Sequence, residues 1–325
     1  MTNVLNIGNC DVAVIGAGPA GLAAATLLKK KGVNSVVVLD REAEAGGIPR
    51  HCGHPPFGLL EYKRIMSGPA YARALTQTAL DAGVEIALRT SVTRMEPTGL
   101  LTLATPEGTG TLVARRVLLA TGARETPRAA RFVPGQRKLG ITTTGALQSM
   151  VYLKGMVPFK RPVIVGSERV SFSALFTCLK AGVKPVAMVE EAEKSPIWRP
   201  FCHLGRLVKV PLYANSEILD IQGSGDQVES ITFRDARGWE HTVPCDGVLF
   251  TGSFTPDSNL ARISGLDIDP ATGSPVTDKF GRCSDRTYFS AGNLMPPLNM
   301  SMNCWRQGRK VGRNILKDLN KGLPR

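Results

Sequence analysis

Asp11-Val-Ala-Val-Ile15, Gly16-Ala-Gly18-Pro-Ala-Gly21 and Leu22-Ala-Ala-Ala-Thr-Leu-Leu-Lys-Lys-Lys31 read in succession as a short apolar strand, a tight glycine turn and a helix. A second strand, Ser35-Val-Val-Val-Leu39, ends in Asp40, with Arg41 beside it. Dinucleotide binding needs this order. The glycines, with Pro19 and Ala20 among them, let the backbone approach a pyrophosphate, the helix N-terminus stabilises its charge, and the terminal acid accepts a hydrogen bond from a ribose hydroxyl. Glycine packing alone is the plain alternative; the flanking strand, helix and acid favour binding.

The pattern then recurs. After alternating stretches over Val84–Arg94 and Leu100–Val113 comes a buried strand, Arg116-Val-Leu-Leu-Ala-Thr121-Gly122. Arg161-Pro-Val-Ile-Val-Gly166-Ser-Glu168-Arg-Val-Ser171 then repeats the first turn, Phe172–Lys180 its helix, and Val186-Ala-Met-Val-Glu190 its second strand. Val210–Ile221, Ser230–Arg234 and Gly247-Val-Leu-Phe-Thr-Gly252 repeat the meander and the closing strand. Gly16 maps to Gly166, an offset of 150, and a duplicated nucleotide-binding architecture explains the match. The second copy is degraded: Glu168 and Ser171 stand where the second and third glycines belong, and Glu168 brings bulk and negative charge to the pyrophosphate position. Three readings of that copy stay open: weak NAD(H) binding supported by Glu190, a mononucleotide in another pose, or a retained scaffold.

Composition narrows the class. In 325 residues, 43% hydrophobic and 21% charged, there is room for two ordinary domains, and no apolar run reaches the roughly 20 residues of a membrane-spanning helix. No basic start followed by an apolar stretch marks a secretory signal, so a cytoplasmic location is expected, with peripheral attachment to a membrane through a complex as the alternative. The seven cysteines show no Cys-x-x-Cys spacing and are read as thiols. The net charge of +13 is spread along the chain with only 6% aromatic residues, a poor footprint for nucleic acid. Only the C-terminal stretch concentrates cations, Arg306, Arg309, Lys310, Arg313, Lys317, Lys321 and Arg325, as a solvated helix face or a docking surface. No nucleophile elbow, zinc-protease helix or phosphate loop is present.

These residues resemble the two-dinucleotide-binding flavoprotein (pyridine nucleotide-disulfide oxidoreductase-like) superfamily over nearly the whole chain. Four anchors carry the resemblance: Gly16–Gly21 with Asp40, the Gly46-Gly47 pair, Ala120-Thr121-Gly122, and Tyr288-Phe-Ser-Ala-Gly292-Asn293. It implies an α/β fold of two Rossmann-like three-layer nucleotide-binding domains, glutathione/thioredoxin reductase-like, the second inserted in the first. Residues 1–123 plus 246–325 would bind FAD, and residues 124–245 would form a degenerate NAD(P)-binding-like domain. The cofactor residues implied are Gly16, Gly18, Pro19, Ala20, Gly21, Asp40, Arg41, Gly47, Thr121, Gly122, Gly292 and Asn293. Asn293 replaces the family's usual ribityl-binding aspartate, and its amide can both donate and accept.

Gly47-Ile-Pro-Arg50-His51-Cys52-Gly-His54, Val165-Gly-Ser-Glu168-Arg-Val-Ser171 and Ala291-Gly-Asn293-Leu are similar to the NAD/FAD-type subunit of heteromeric dye-linked amino-acid dehydrogenases. That group includes the hydrogen cyanide synthase middle subunit, opine oxidases and D-hydroxyproline dehydrogenase. The resemblance implies an electron-relaying subunit beside a D-amino-acid-oxidase-like flavoprotein and a small iron–sulfur protein, with FMN shared at a subunit boundary as a further option. The family's cysteine-rich C-terminal extension has no counterpart before Arg325. A self-contained NADH-dependent flavin reductase and a non-catalytic assembly scaffold are the rival readings.

Arg50, His51 and His54 are the candidate catalytic residues, near the flavin or the partner surface if the resemblance holds. A metal site is the weaker reading, since ligands packed within four residues do not easily enclose one ion, and turn packing by Pro49, Pro55 and Pro56 is the third. His203 and His241 lack partners at catalytic spacing. Cys304 opens the final helix, whose N-terminus in the superfamily points at the flavin; packing or flavin contact accounts for it. The methionine- and proline-rich Leu294–Met302 reads as a loop near the flavin or an adaptable contact surface.

Overall fold

A computed structural model describes residues 4–193, 210–296, 298 and 300–324. The chain forms two compact units: Met1–Arg50, Pro55–Arg124 and Thr255–Arg325 make the first, His51–His54 and Glu125–Phe254 the second.

In the first unit, β1 (Val4–Ile15), α1 (Pro19–Lys30) and β2 (Val36–Leu39) are followed by the short α2 (Leu59–Tyr62), α3 (Gly68–Asp81) and β3 (Glu85–Ala87). β4 (Ser91–Met95), β5 (Leu100–Thr105) and β6 (Gly108–Leu119) form an antiparallel meander, and β6 runs alongside β1 in parallel register over nearly its whole length, from Val4 opposite Thr109 to Ile15 opposite Leu119. β1 and β2 are apolar at every position from Val12 and Val36 because both faces of a parallel sheet are covered. Val12, Val14, Val36 and Val38 face the helical layer, and Ala13, Ile15, Val37 and Leu39 face the meander.

The second unit repeats the plan. After β7 (Ala123–Glu125) come β8 (Ile141–Thr143), α4 (Thr144–Lys154), β9 (Pro162–Val165), α5 (Arg169–Lys180), β10 (Ala187–Val189) and β11 (Leu212–Tyr213). A second meander, β12 (Glu217–Gln222), β13 (Ser230–Arg234) and β14 (Glu240–Pro244), leads to β15 (Gly247–Phe250). Ile164, Met188 and Leu249 pack on the helices, while Val163, Val165, Val189 and Phe250 pack on the meander. The chain closes through β16 (Phe254–Pro256), α6 (Asn259–Ile263), β17 (Tyr288–Ser290) and the long α7 (Ser301–Lys321).

The strand orders make the duplication explicit. β3-β2-β1-β6, with β17 on β6, matches β11-β10-β9-β15-β8 strand for strand. β15 pairs with β9 through Val248 and Val163, so that strand is central to the second sheet, and the units divide at Thr255 rather than at the residue 246 suggested by sequence. Among the described residues no helix is long and apolar enough to cross a membrane.

Candidate functional site

In the first unit the glycine turn is built by contact. Gly16 sits at φ +109°, and a β-carbon there would fall 2.4 Å from the Ala120 carbonyl oxygen, so the turn can lie on the closing strand only without a side chain. Gly18, the N-cap of α1, is different: its backbone is extended, and a β-carbon would meet nothing within 4 Å. α1 has no side-chain cap and no acid in its first turn, so its N–H groups and positive end are left to an anion. Gly47 comes from the loop after β2 onto this turn, its ideal β-carbon 2.8 Å from the Gly18 Cα.

Asp40 is held at the end of β2. One carboxylate oxygen accepts from the Ala17 N–H at 2.6 Å and the other from the Glu42 N–H at 2.9 Å, and each oxygen keeps a lone pair for a hydroxyl donor. Arg41 is exposed and pairs with Asp257 at 3.4 Å, a weak contact at such exposure. Asp257 in turn donates its N–H to the Gly122 carbonyl, and the Thr121 hydroxyl donates to the Asp257 carbonyl at 2.8 Å. The Gly292 N–H donates to Gln307 Oε1 at 2.9 Å, and the Cys304 thiol donates to Asn293 Oδ1 at 3.3 Å. Both Gly292 and Gly308 press on Ala20, so the short turn after β17 and the start of α7 are fixed against the start of α1. Gly16, Gly18, Pro19, Ala20, Gly21, Asp40, Gly47, Gly292 and Asn293 therefore lie around one helix end, joined through Asp257 to Arg41, Thr121 and Gly122. Asp257, Gln307 and Gly308 were missed from sequence; the small residues Gly308 and Gly312, one turn apart on the apolar face of an amphipathic helix, were the available signal.

The second unit keeps the same skeleton and fills it. The Ser167 hydroxyl donates to Glu190 at 2.6 Å and the Ala192 N–H to its other oxygen at 2.9 Å, an arrangement like that of Asp40 at the offset of 150, with a side-chain hydroxyl where Ala17 offers its backbone N–H. Glu168 is the N-cap of α5. Its Oε2 accepts from the Ser171 hydroxyl at 2.9 Å, and its Oε1 is buried with no partner among the described residues. A β-carbon on Gly252 would lie 2.7 Å from the Glu168 carboxyl carbon, so the carboxylate covers the closing strand where Gly122 is open. Arg131 completes the filling, donating to the carbonyls of Thr251 at 2.8 Å and Gly252 at 2.6 Å. Burial pulls the Arg131 guanidinium below its ordinary range, opposed by Glu125, Glu168 and Glu191.

The structure separates the members of the Arg50–His54 segment. Arg50 belongs to the first unit, paired with Glu42 at 3.1 Å. His51 to His54 group with the second, where the Cys52 thiol lies 3.6 Å from Gln148 Oε1 and Gly53 abuts the Tyr152 ring. His241 pairs with Asp235 at 2.8 Å and stacks on Phe233, a structural role on β14; His203 lies outside the described residues. The described cysteines are all free and buried. Burial pushes Cys52 up to about 12 and Cys304 up to about 11, so both stay thiols at neutral pH.

The chain belongs to the pyridine nucleotide-disulphide oxidoreductase family, whose model matches residues 10–310. It is a flavoprotein-type oxidoreductase of two Rossmann-like units. It is 28% identical over 276 residues to the opine oxidase A subunit of Rhizobium meliloti (strain 1021), covering 78% of this chain and 59% of that one. It is 27% identical over 319 residues to the corresponding opine oxidase protein of Agrobacterium tumefaciens (strain Ach5), covering 87% of this chain and 61% of the relative. The chain thus spans about six-tenths of the length of these relatives. Thioredoxin reductase of T. acidophilum superposes with a TM-score of 0.80 at 23% identity, over 95% of this chain and 98% of the other, a likeness of fold.

Proposed function

We propose that this chain is an FAD-dependent subunit that relays electrons within a heteromeric amino-acid or amine dehydrogenase. Glu168 carries the reading. Its carboxylate occupies the second glycine turn, which argues that reducing equivalents do not enter from NADH, while the first turn is open and uncapped and suits a dinucleotide. The identity to opine oxidase A subunits supports the heteromeric setting.

On this reading FAD, when bound, supplies a two-electron carrier. The N–H groups at Gly18 and the start of α1 hold its pyrophosphate, and Asp40, fixed by the Ala17 and Glu42 N–H groups, accepts from the adenosine ribose. Gly292 and Asn293 lie on the ribityl side, with Gln307 and Cys304 orienting them. The amine-oxidising chemistry belongs to a D-amino-acid-oxidase-like partner, a small iron–sulfur protein is a further partner, and an FMN would sit at a subunit boundary. A second reading is kept because Glu190 retains the geometry of Asp40: a mononucleotide, bound through its ribose alone, in the second unit.

Anaerobic titration of the purified chain with NADH, with identification of the nucleotide released on denaturation, tests the proposal. Bound FAD whose absorption band is unchanged by NADH is the expected result. Bleaching within seconds would overturn it in favour of a self-contained reductase, and absence of flavin would favour a scaffold.

A further inference from the structure

Helix α7 carries a pattern that cofactor binding does not use. Its buried positions are Cys304, Gly308, Val311, Gly312, Ile315 and Asp318, all facing the core of the first unit. Its exposed positions are Arg306, Lys310, Arg313, Lys317, Asn320 and Lys321, so every exposed side chain but one is a cation. The spacing i, i+4, i+7, i+11, i+15 sets the cations in a single row, about 22 Å long at 1.5 Å per residue.

α1 advances beside it, Ala20 against Gly308 and Ala24 against Gly312, and ends in the exposed Lys30, capped by the exposed Lys31. None of these cations is ion-paired among the described residues, and the acid of α7, Asp318, is buried against Arg116. Like charges one turn apart destabilise a helix, so the row opposes the fold that displays it.

Next to the row, α1, α2, α3 and α7 frame a cleft of about 170 Å³, walled by Tyr62, Leu75 and Trp305 and rimmed by Lys30 and Arg309. Glu61 also lines it and accepts a hydrogen bond from the Tyr71 hydroxyl at 2.8 Å, so the cleft itself suits an apolar side chain and the incoming carboxylates belong on the row. The Arg309 guanidinium lies 4.7 Å above the Trp305 ring and braces it. Aromatic walls beside arginines are the composition of an anchoring pocket in a protein interface.

We propose that this face docks an acidic protein segment, its carboxylates along the Arg306–Lys321 row and one apolar side chain seated between Tyr62 and Trp305. The apolar face of α7 is already in the core, so the helix has nothing to insert into a bilayer. A single-stranded polynucleotide would stack on successive exposed aromatics, and the row exposes none. The inference needs neither the cofactor nor the reaction proposed above.

The test uses the full chain and a fluorescent Glu/Ala peptide of about 16 residues carrying one Phe, matched to the row at 1.5 Å per residue. Anisotropy is read with the peptide, with its Phe-to-Ala version, and against phosphatidylglycerol vesicles and a single-stranded RNA. The combined variant R306E/K310E/R313E/K317E is expected to weaken peptide binding at least about tenfold, and Trp305→Ala about threefold, through loss of charge and of the anchor. The variant K154E/K160E/K184E/R237E makes the same change of net charge on exposed cations elsewhere and is expected to leave binding within about twofold. The neutral set R306Q/K310Q/R313Q/K317Q replaces the reversed set if circular dichroism shows misfolding. Equal loss in the control variant, no loss on changing the row, or tighter binding to vesicles or RNA than to the peptide would overturn the proposal.

Discussion

Glu168 lies against Gly252 so closely that a β-carbon on the glycine would stand 2.7 Å from the carboxyl carbon. The equivalent pair in the first unit, Gly18 and Gly122, presents bare backbone. One side chain thus separates two otherwise matching cradles, and it puts a negative charge where a pyrophosphate would add two more.

Replacing Glu168 with glycine is expected to raise NADH affinity about tenfold, the equivalent of ~1.4 kcal/mol. Calorimetric titration of wild type and variant checks this, and unchanged affinity would show that Arg131 or the loop geometry closes the site instead.

Gly18→Val separates binding from folding. The backbone at Gly18 is extended and its β-carbon direction is open, so the variant should keep the thermal midpoint of the apoprotein while losing FAD, seen as a fall in flavin per chain on purification. Gly16→Val, by contrast, is expected to unfold the unit, because φ is +109° and the Ala120 carbonyl is in the way.

α7 packs on α1 through Gly308, whose added β-carbon would lie 2.0 Å from the Ala20 carbonyl oxygen. Gly308→Val should cost about 3 kcal/mol or more by urea denaturation and lower flavin retention with it, since Ala20 also supports Gly292. At Gly312 the nearest atom is 3.3 Å away, and Gly312→Ala should cost about 1 kcal/mol or less.

Stability should fall as pH rises above about 9. Burial raises Cys10, Cys52 and Cys178 to about 12 and Cys245, Cys283 and Cys304 to about 11 from an ordinary 9.0. A group raised in the folded state binds its proton more tightly there, so its contribution is complete below the unfolded value and is lost as pH climbs towards the folded one. Thermal melts from pH 7 to 11 follow this, and the same thiols should resist iodoacetamide at pH 8 until the chain unfolds.

Much of the first site was legible because its rules are local. Gly16, Gly18, Gly21 and Asp40 sit on one strand–turn–helix–strand unit, where backbone sterics and helix-end electrostatics dictate residue type at fixed spacing. The repeat at an offset of 150 made the second unit legible too, and Glu168 could be recognised as an intruder before its contacts were known. The partners that arrive from elsewhere were not. Arg131 reaches the Thr251 and Gly252 carbonyls across 120 and 121 positions, and Gln307 meets Gly292 from a helix whose rotation depends on Gly308 fitting Ala20.

The sequence by itself determined the two glycine turns, their flanking strands and helices, and which turn was degraded. Tertiary structure alone decided that His51–His54 leave Arg50 to join the second unit, that β15 stays in the second sheet, and that the cations of α7, unpaired among the described residues, lie beside an aromatic cleft. The physical reason is range: turn and helix chemistry acts over a few residues, whereas strand pairing and side-chain packing depend on which distant surfaces the chain brings together.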